Sequence, residues 1–253
     1  MQTHDFWHQQ CVLLDRETDL NNFKNWLPVR NIPLYSDSEY VANFIAENKA
    51  MIKVSSCPDR WNTILTKGEP TRGHNAVSVK RAGPFRLKSL HHCLSFEEMR
   101  GRLLTDYKAI VEFGAGIGDT AYTILDSGFQ GSYHIIDLPS VSRISRFYLQ
   151  DFKNVFFHEK LENICLSVKS SDILFIATWS LSEIPLTYRN EIATRIQGWD
   201  YMILFQKTFK EINNTAYFIG GAWAYLSNSY YRIRQLTFHD ADAGSVYMIG
   251  RSV

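Results

Sequence analysis

The residues of this chain that could do chemistry lie mainly around one glycine-rich turn. Residues 109–118 read AIVEFGAGIG, an apolar segment that contains Glu112 and leads directly into three glycines. Glycine lets the backbone approach a ligand closely, and the start of a following helix offers free N–H groups. A second apolar segment, residues 131–138, brings Asp137 to its end, where a carboxylate can accept both hydroxyls of a ribose. The pattern predicts a strand, helix and strand that bind a nucleotide-like cofactor; the alternative is a tight turn without a ligand.

The spacing of the glycines separates two classes of cofactor. A dinucleotide site has glycines at the first, third and sixth positions, whereas Gly114, Gly116 and Gly118 occupy the first, third and fifth. The sixth position is Asp119, whose carboxylate would repel a pyrophosphate but suits a cofactor with a sulfonium and an amino group. The sequence therefore predicts S-adenosylmethionine as the cofactor.

Each residue near the turn has an expected role toward this cofactor. Glu112 would reach the amino group, and the turn with Ala115 would surround the methionine part. Asp137 would hold the ribose, with an N-cap of the next helix as its alternative role. Leu138 would pack on the adenine. Glu159, after the third predicted strand, is a candidate contact to the adenine amino group, or else a solvated loop residue.

Composition limits the partners of the protein. The 253 residues include 27 Lys and Arg and 26 Asp and Glu, and the net charge of +1 does not favour binding to nucleic acid or to an anionic membrane. The apolar segments are strand-sized and the start MQTHDFWHQQ is unlike a signal peptide, so we expect a soluble, cytoplasmic protein. The four cysteines form no CxxC pair and are expected to be reduced thiols.

From about residue 105 onward, strand-like and helix-like segments alternate, which predicts a mostly parallel sheet with helices on its faces. The last two strand segments are too close for a helical crossover and are expected to form an antiparallel hairpin. A parallel sheet that ends in such a hairpin is typical of class I S-adenosylmethionine-dependent methyltransferases. The predicted strands are 109–113, 132–136, 155–158, 173–177, 201–205, 231–237 and 246–251, and the predicted helices are 119–127, 140–151, 186–197 and 214–226, the last with a possible break at 220–221.

Three segments in the part of the chain after residue 105 indicate a particular family within this class. They read VEFGAGIGDTAYTIL, YHIIDLPSVSRISRFYL and DILFIATWSLSEIP, and together they cover roughly residues 107–190. In this order they resemble the sugar O-methyltransferase family of class I methyltransferases, mainly through Asp137-Leu-Pro, Tyr148-Leu149 and the segment Ser-Leu-Ser-Glu-Ile-Pro from Ser180. The resemblance implies methylation of a hydroxyl of a saccharide or nucleotide sugar in glycan biosynthesis.

The segment after the fourth predicted strand is expected to line the reaction centre. Thr178 and Trp179 would contact the cofactor, and Ser180 the acceptor. Glu183 is a candidate base or ligand of a sugar hydroxyl; alternatively, it is an acid in the first turn of the next helix. The segment lacks the Pro-Pro-aromatic motif of nucleic-acid and protein amide methylases, which argues against those substrates.

Methyl transfer to an alcohol needs an in-line approach and a base that removes the hydroxyl proton. His239 is the leading candidate base, because imidazole titrates near neutral pH and the hairpin turn is expected at the carboxyl end of the sheet. Asp240 and Asp242 could orient His239 or join it in binding a divalent cation. A plain polar turn is favoured over a metal site.

Residues 1–104 are expected to form a mostly helical extension or lid, with helices at 38–51 and 95–104 and loops around Pro58, Pro70 and Pro84. A solvated basic loop is the alternative for the acceptor contacts predicted in this part. The predicted acceptor contacts of the whole chain, besides Ser180, are Arg72, His74, Asn75, Arg81 and Gln206.

Two other functions remain open from the sequence. The acceptor could be a small molecule other than a sugar, such as a phenol or a lipid. The chain could also be a non-catalytic binding module with a methyltransferase fold, although the complete glycine motif and Asp137 argue against this.

Overall fold

The computed structural model describes residues 5–25, 38–67, 70, 72, 83–209, 211–235 and 244–252. Seven strands in this part form the main sheet, in the order β3-β2-β1-β4-β5-β9-β8. The strands are β1 (Ala109–Phe113), β2 (Ser132–Ile136), β3 (Val155–His158), β4 (Ile173–Thr178), β5 (Asp200–Gln206), β8 (Ser229–Gln235) and β9 (Ser245–Ser252), and a separate small hairpin contains β6 (Thr208–Phe209) and β7 (Ile212–Asn213).

Helices precede the sheet and connect its strands. The helices are α1 (Asp5–Arg16), α2 (Ser38–Val54), α3 (Pro58–Thr66), α4 (Pro84–Arg100), α5 (Asp119–Asp126), α6 (Pro139–Tyr148), α7 (Leu186–Arg195), α8 (Asn214–Phe218) and α9 (Ala222–Ser227). No helix in the described residues is long and apolar enough to cross a membrane.

The direction of the strands confirms the predicted fold. Strands β1 to β5 are parallel, while β9 pairs antiparallel with β5 on one side and with β8 on the other. The final strand is therefore inserted between β5 and β8, and the last two strands form the predicted hairpin. This is the Rossmann-like fold of the class I methyltransferases.

Residues alternate between two apolar cores along the strands. On β1, Ile110 belongs to the core under α4, α5 and α6, whereas Val111 belongs to the core under α7, α8 and α9. The alternation follows from the two-residue period of a strand, and both layers are needed to bury a parallel sheet. The two layers fix the carboxyl ends of β1, β2 and β4 side by side.

Two prolines of the N-terminal part begin helices, which corrects the prediction of loops around them. Pro58 and Pro84 are the first residues of α3 and α4 rather than loop markers, because proline fits the first helical position, where its missing N–H is not needed. The predicted helix at 95–104 is wrong in both bounds, since α4 begins at Pro84 and ends before Gly101, which has a φ of 69°. Helix α1 was not predicted.

The predicted break near residues 220–221 is confirmed. Helix α8 ends at Phe218, and α9 begins at Ala222 after Gly221, which has a φ of 103°. Such a left-handed conformation is readily adopted by glycine.

Candidate cofactor and acceptor site

The glycine turn connects β1 to α5 and lies against the carboxyl end of β2. All three of its glycines have positive φ, namely 72° at Gly114, 58° at Gly116 and 95° at Gly118. The N–H of Gly114 donates to the carbonyl of Ile136, 2.8 Å away, at the end of β2. A Cβ at Gly116 would meet no protein atom within 4 Å, so the protein leaves open space beside this part of the turn.

Asp137 faces the glycine turn from the end of β2. Its Oδ2 accepts the N–H of Gly116 at 2.9 Å, and its Oδ1 accepts the N–H of Leu138 at 2.7 Å. Burial raises the pKa of Asp137 to about 7, although its backbone hydrogen bonds act in the opposite direction. Helix α6 has Leu138 at its N-cap position and no side-chain cap, so the structure does not realise the alternative role of Asp137 as a helix cap.

Glu112 is fully buried just before the turn, and only one of its two carboxylate oxygens has a hydrogen-bond partner among the described residues. Its Oε2 accepts the hydroxyl of Tyr133 at 2.8 Å, while its Oε1 has no hydrogen-bond partner among the described residues. Burial raises the pKa of Glu112 to about 8, and the charges of Asp137 and Asp119 contribute in the same direction. Because a buried polar atom without a partner is costly, the site suits a ligand with a positively charged donor group, such as the amino group of S-adenosylmethionine.

Asp119 begins α5 and has partners within the protein. Its Oδ1 accepts the hydroxyl of Tyr148 at 2.7 Å and lies 4.0 Å from the Nζ of Lys24. These contacts connect α5 with the end of α6 and with the 3-10 helix Leu20–Asn25. A role of Asp119 toward the cofactor remains a prediction.

The loop after β4 is held in a strained conformation against the glycine turn. Trp179, which follows Thr178, has a φ of 65°, which is unusual for a bulky residue and costs about 1–3 kcal/mol. Its backbone N–H donates to Leu204 at 2.7 Å, and its indole N–H donates to the Oγ of Ser245 at 3.0 Å. The loop is therefore fixed to β5 and to the start of β9.

Ser180 packs this loop directly against the glycine turn. Its hydroxyl donates to the carbonyl of Phe113, the last residue of β1. A Cβ added at Gly114 would overlap the side chain of Ser180, so glycine is required there by close approach as well as by φ. The structure thus brings the predicted cofactor residues of β1 together with those that follow β4.

The sequence did not indicate the residues that surround the ring of Trp179. The Nζ of Lys88 lies 3.8 Å from the ring centroid, and the imidazole of His92 packs edge-on at 5.6 Å. The Nδ1 of His92 is 2.5 Å from the hydroxyl of Tyr247 on β9. Burial, followed by the charge of Lys88, holds the pKa of His92 well below its usual range. Lys88 and His92 are four residues apart and therefore lie on one face of α4. The sequence did not indicate this because the segment was not predicted to be helical.

Glu183 lies in the 3-10 helix Ser180–Glu183, before α7, so it is not the first-turn acid of that helix. Its Oε2 accepts the indole N–H of Trp7, which is on α1, at 2.7 Å. Burial raises the pKa of Glu183 to about 7, while the hydrogen bond from Trp7 and the charge of Arg189 act in the opposite direction. Trp7, like Lys88 and His92, was not indicated by the sequence.

Arg189 positions the loop that carries Glu183. Its buried guanidinium donates to the carbonyls of Ser182 at 2.5 Å and Ile184 at 2.9 Å, and to the side-chain oxygen of Asn214 at 2.6 Å. Desolvation lowers the pKa of Arg189 to about 10. The side chain therefore links the loop after β4 to α8.

Other predicted residues have different surroundings. Arg72 donates to the carbonyl of Tyr148 and to the carboxylate of Asp151, beside the end of α6. Glu159 is exposed after β3, and Gln206 ends β5 opposite Ser245. The predicted residues outside the described part of the chain are His74, Asn75, Arg81, His239, Asp240 and Asp242.

The described side chains contain no group of three or more His, Cys, Asp or Glu residues that could hold a metal ion. The contacts described above at the site involve carboxylates, backbone N–H groups and aromatic rings.

No protein-family model matches the chain, and no curated protein matches it. A structure of a SAM-dependent methyltransferase from Aquifex aeolicus is 14% identical and aligns with 59% of this chain and 85% of its own, with a TM-score of 0.45. The 1,6-didemethyltoxoflavin-N1-methyltransferase of Burkholderia thailandensis, solved with S-adenosylhomocysteine, is 13% identical over 65% of this chain and 78% of its own, with a TM-score of 0.47. These likenesses are distant, and the strand order and glycine turn carry the assignment of the class I methyltransferase fold.

Proposed function

We propose that this protein is an S-adenosylmethionine-dependent methyltransferase that methylates a hydroxyl of a saccharide or nucleotide sugar. The observation that carries the cofactor assignment is the arrangement of two buried carboxylates around the glycine turn. Asp137 is bonded to Gly116 of the turn, and one oxygen of Glu112 has no hydrogen-bond partner among the described residues. A cofactor with ribose hydroxyls and an amino group matches both carboxylates.

The residues of the turn would bind and orient the cofactor. Asp137 would accept hydrogen bonds from the ribose hydroxyls, and Glu112 would accept one from the amino group. When bound, S-adenosylmethionine supplies a methyl group that its sulfonium has already activated. The remaining tasks of the protein are to position the acceptor and to remove one proton.

The acceptor is expected beside the loop after β4. Ser180, the predicted acceptor contact, follows β4 and is bonded to the last residue of β1, beside the glycine turn where the methyl donor is proposed to lie. The sugar assignment rests on the resemblance of three sequence segments, while the position of the loop supports only the location of the acceptor.

Glu183 and His239 are the two candidates for the base. A carboxyl with a pKa of about 7 is partly ionised near neutral pH and can accept a proton there, which favours Glu183 among the described residues. His239 remains a prediction from the sequence.

Calorimetric titration with S-adenosylhomocysteine tests the cofactor assignment. We expect binding by the wild-type chain, a large loss of affinity in Asp137→Ala, and unchanged affinity in Asp151→Ala, because the side chain of Asp151 is largely exposed at the end of α6. Absence of binding to the wild-type chain would refute the proposed function.

Transfer of a labelled methyl group tests the acceptor assignment. The chain would be incubated with labelled S-adenosylmethionine and with separate panels of nucleotide sugars, phenols and lipids. Label in a nucleotide sugar supports the proposal, and label only in a phenol or lipid supports the alternative of a non-sugar acceptor. Substitution of the base should lower kcat for the accepted substrate by about 10²- to 10⁴-fold. Whichever of Glu183→Gln and His239→Ala shows this loss identifies the base.

A further inference from the structure

One face of helix α1 packs against the sheet domain. Trp7, Cys11 and Leu14 lie at spacings of four and three residues and are therefore on the same side of the helix. All three are at least partly buried, while Val12 and Leu13 are exposed. Helix α1 thus presents a defined stripe to the rest of the protein.

Two side chains of this stripe contact elements that follow different strands. The indole of Trp7 donates to Glu183, in the segment after β4. Cys11 lies near Ser140, in the first turn of α6 after β2. Burial raises the pKa of its thiol, the side chain of Ser140 acts in the opposite direction, and the charge of Asp137 raises the pKa further. The helix therefore touches the carboxyl-end segments of both β4 and β2.

The strand order places the glycine turn between these two contacts. Strand β1 lies between β2 and β4 in the sheet, and the turn 114–118 follows β1. A straight helix that touches the residues after β2 and after β4 must pass across the carboxyl end of β1. Helix α1 consequently crosses the carboxyl end of the sheet near the glycine turn.

A third contact anchors the C-terminal end of α1. Arg143 of α6 donates to the carbonyls of Leu14 at 2.7 Å and Glu17 at 2.9 Å. The last carbonyls of a helix lack partners within it, and a cation there also compensates the helix dipole. This end is fixed, whereas the Trp7 end is held to the core domain through a side-chain hydrogen bond with Glu183.

We propose that α1 is the outer wall of the cofactor cleft and that Trp7 holds this wall closed over bound cofactor by its hydrogen bond to Glu183. The face that carries Trp7 and Cys11 would then enclose the ligand, and the cofactor product would leave only when the Trp7 end of α1 moves. The inference rests on the proposed function for the identity of the ligand.

Cysteine alkylation tests the wall without knowledge of the acceptor. The full chain is treated with N-ethylmaleimide, with and without saturating S-adenosylhomocysteine, and the modification of each cysteine is followed by peptide mass spectrometry. We expect the ligand to slow alkylation of Cys11 at least fivefold. Cys165 is exposed and Cys57 is partly buried at the start of α3, so both are internal controls whose rates should not change.

The fourth cysteine distinguishes local closure from general stabilisation. Cys93 is fully buried in α4 and reacts only when the protein opens more widely. Protection of Cys11 beyond any protection of Cys93 supports the proposal. An unchanged rate at Cys11, or equal protection of Cys11 and Cys93, would overturn it.

The rate of ligand release tests the role of Trp7. Trp7→Phe keeps an aromatic ring but removes the indole donor, so S-adenosylhomocysteine should dissociate about fivefold faster or more in stopped-flow measurements. Trp199→Phe, a partly buried tryptophan just before the first residue of β5, is the matched control and should stay within twofold of wild type. Equal release rates in Trp7→Phe and wild type would contradict the proposed latch.

The two proposals fail in different ways. Absence of S-adenosylhomocysteine binding to the wild-type chain refutes both. Normal binding with an unprotected Cys11 refutes only the role of α1.

Discussion

Asp137 and Glu112 are buried carboxylates whose environment brings their pKa values close to neutral pH. In both, desolvation is the main cause of the rise, to about 7 for Asp137 and about 8 for Glu112. A ligand that donates hydrogen bonds to them favours the ionised form. Ligand binding must therefore become weaker as the pH falls and protons compete for the carboxylates.

Asp137→Asn should weaken binding of S-adenosylhomocysteine about 10- to 100-fold at pH 8. The carboxamide keeps the shape but loses the charge, and hydrogen bonds to a charged group contribute about 1.5–3 kcal/mol. Between pH 8 and pH 6 the affinity of the wild type should fall, and the variant should show a smaller fall. Calorimetry at both pH values measures this, with Asp151→Asn as the control. Equal affinities of Asp137→Asn and wild type at pH 8 would exclude a role for Asp137.

Glu112→Gln should stabilise the free protein at high pH. The raised pKa of about 8 means that folded Glu112 keeps its proton between its ordinary value of 4.5 and pH 8, while the unfolded chain ionises. Wild-type stability is thus lost as the pH rises through this window, and glutamine avoids the loss. We expect a gain of roughly 1–3 kcal/mol in the free energy of unfolding at pH 8.5 and almost none at pH 4.5.

Urea denaturation without ligand at the two pH values measures this effect. Glu162→Gln is the control, since Glu162 is exposed in a 3-10 helix. The same Glu112→Gln variant should bind S-adenosylhomocysteine less tightly because the acceptor for its amino group is weaker. A variant that is less stable than wild type at pH 8.5 would show that Glu112 is not a destabilising buried acid.

At the scale of elements, the contact between the glycine turn and the loop after β4 decides the shape of the cleft. Gly114 has a φ of 72° and leaves no room for a Cβ beside Ser180. Gly128, after the end of α5, has a φ of 102°, but a Cβ there would meet no atom within 4 Å. Alanine at Gly128 would therefore add backbone strain alone, whereas alanine at Gly114 would add both backbone strain and overlap with Ser180.

In Gly114→Ala, the affinity for S-adenosylhomocysteine should fall at least tenfold, because the added methyl group displaces Ser180 and the turn. Gly128→Ala should lose about 1 kcal/mol of stability through φ strain alone and keep its affinity. Calorimetry and urea denaturation of both variants give these values. If both variants bind equally well, the packing of Ser180 against Gly114 does not shape the site.

Elements with a strong local pattern were predicted well, and those that depend on context were not. The bounds of β1, β2 and β3 agree with prediction, because short β-branched and aromatic segments between turn residues leave little choice. Helix α1 was missed although Trp7, Cys11 and Leu14 have helical spacing. Its stripe is short, and only packing on the sheet domain distinguishes it from an irregular segment.

For the whole molecule, cofactor binding should appear as a rise in the melting temperature. A ligand at 100 times its dissociation constant stabilises the folded state by about 2.7 kcal/mol, which corresponds to roughly 5–10 °C for a domain of this size. S-adenosylhomocysteine should produce such a rise in a calorimetric scan, and NAD at the same concentration should not. A rise with NAD alone would indicate a dinucleotide site instead.

The sequence by itself determined the class I sheet, the terminal hairpin and the carboxylates at the ends of β1 and β2. These features follow from local periodicity and from residues adjacent in the chain. Only the tertiary structure decided that Trp7 meets Glu183, that Lys88 and His92 surround Trp179, and that Ser180 requires Gly114. Those contacts join residues far apart in sequence, and such pairs depend on how helices pack over the carboxyl end of the sheet.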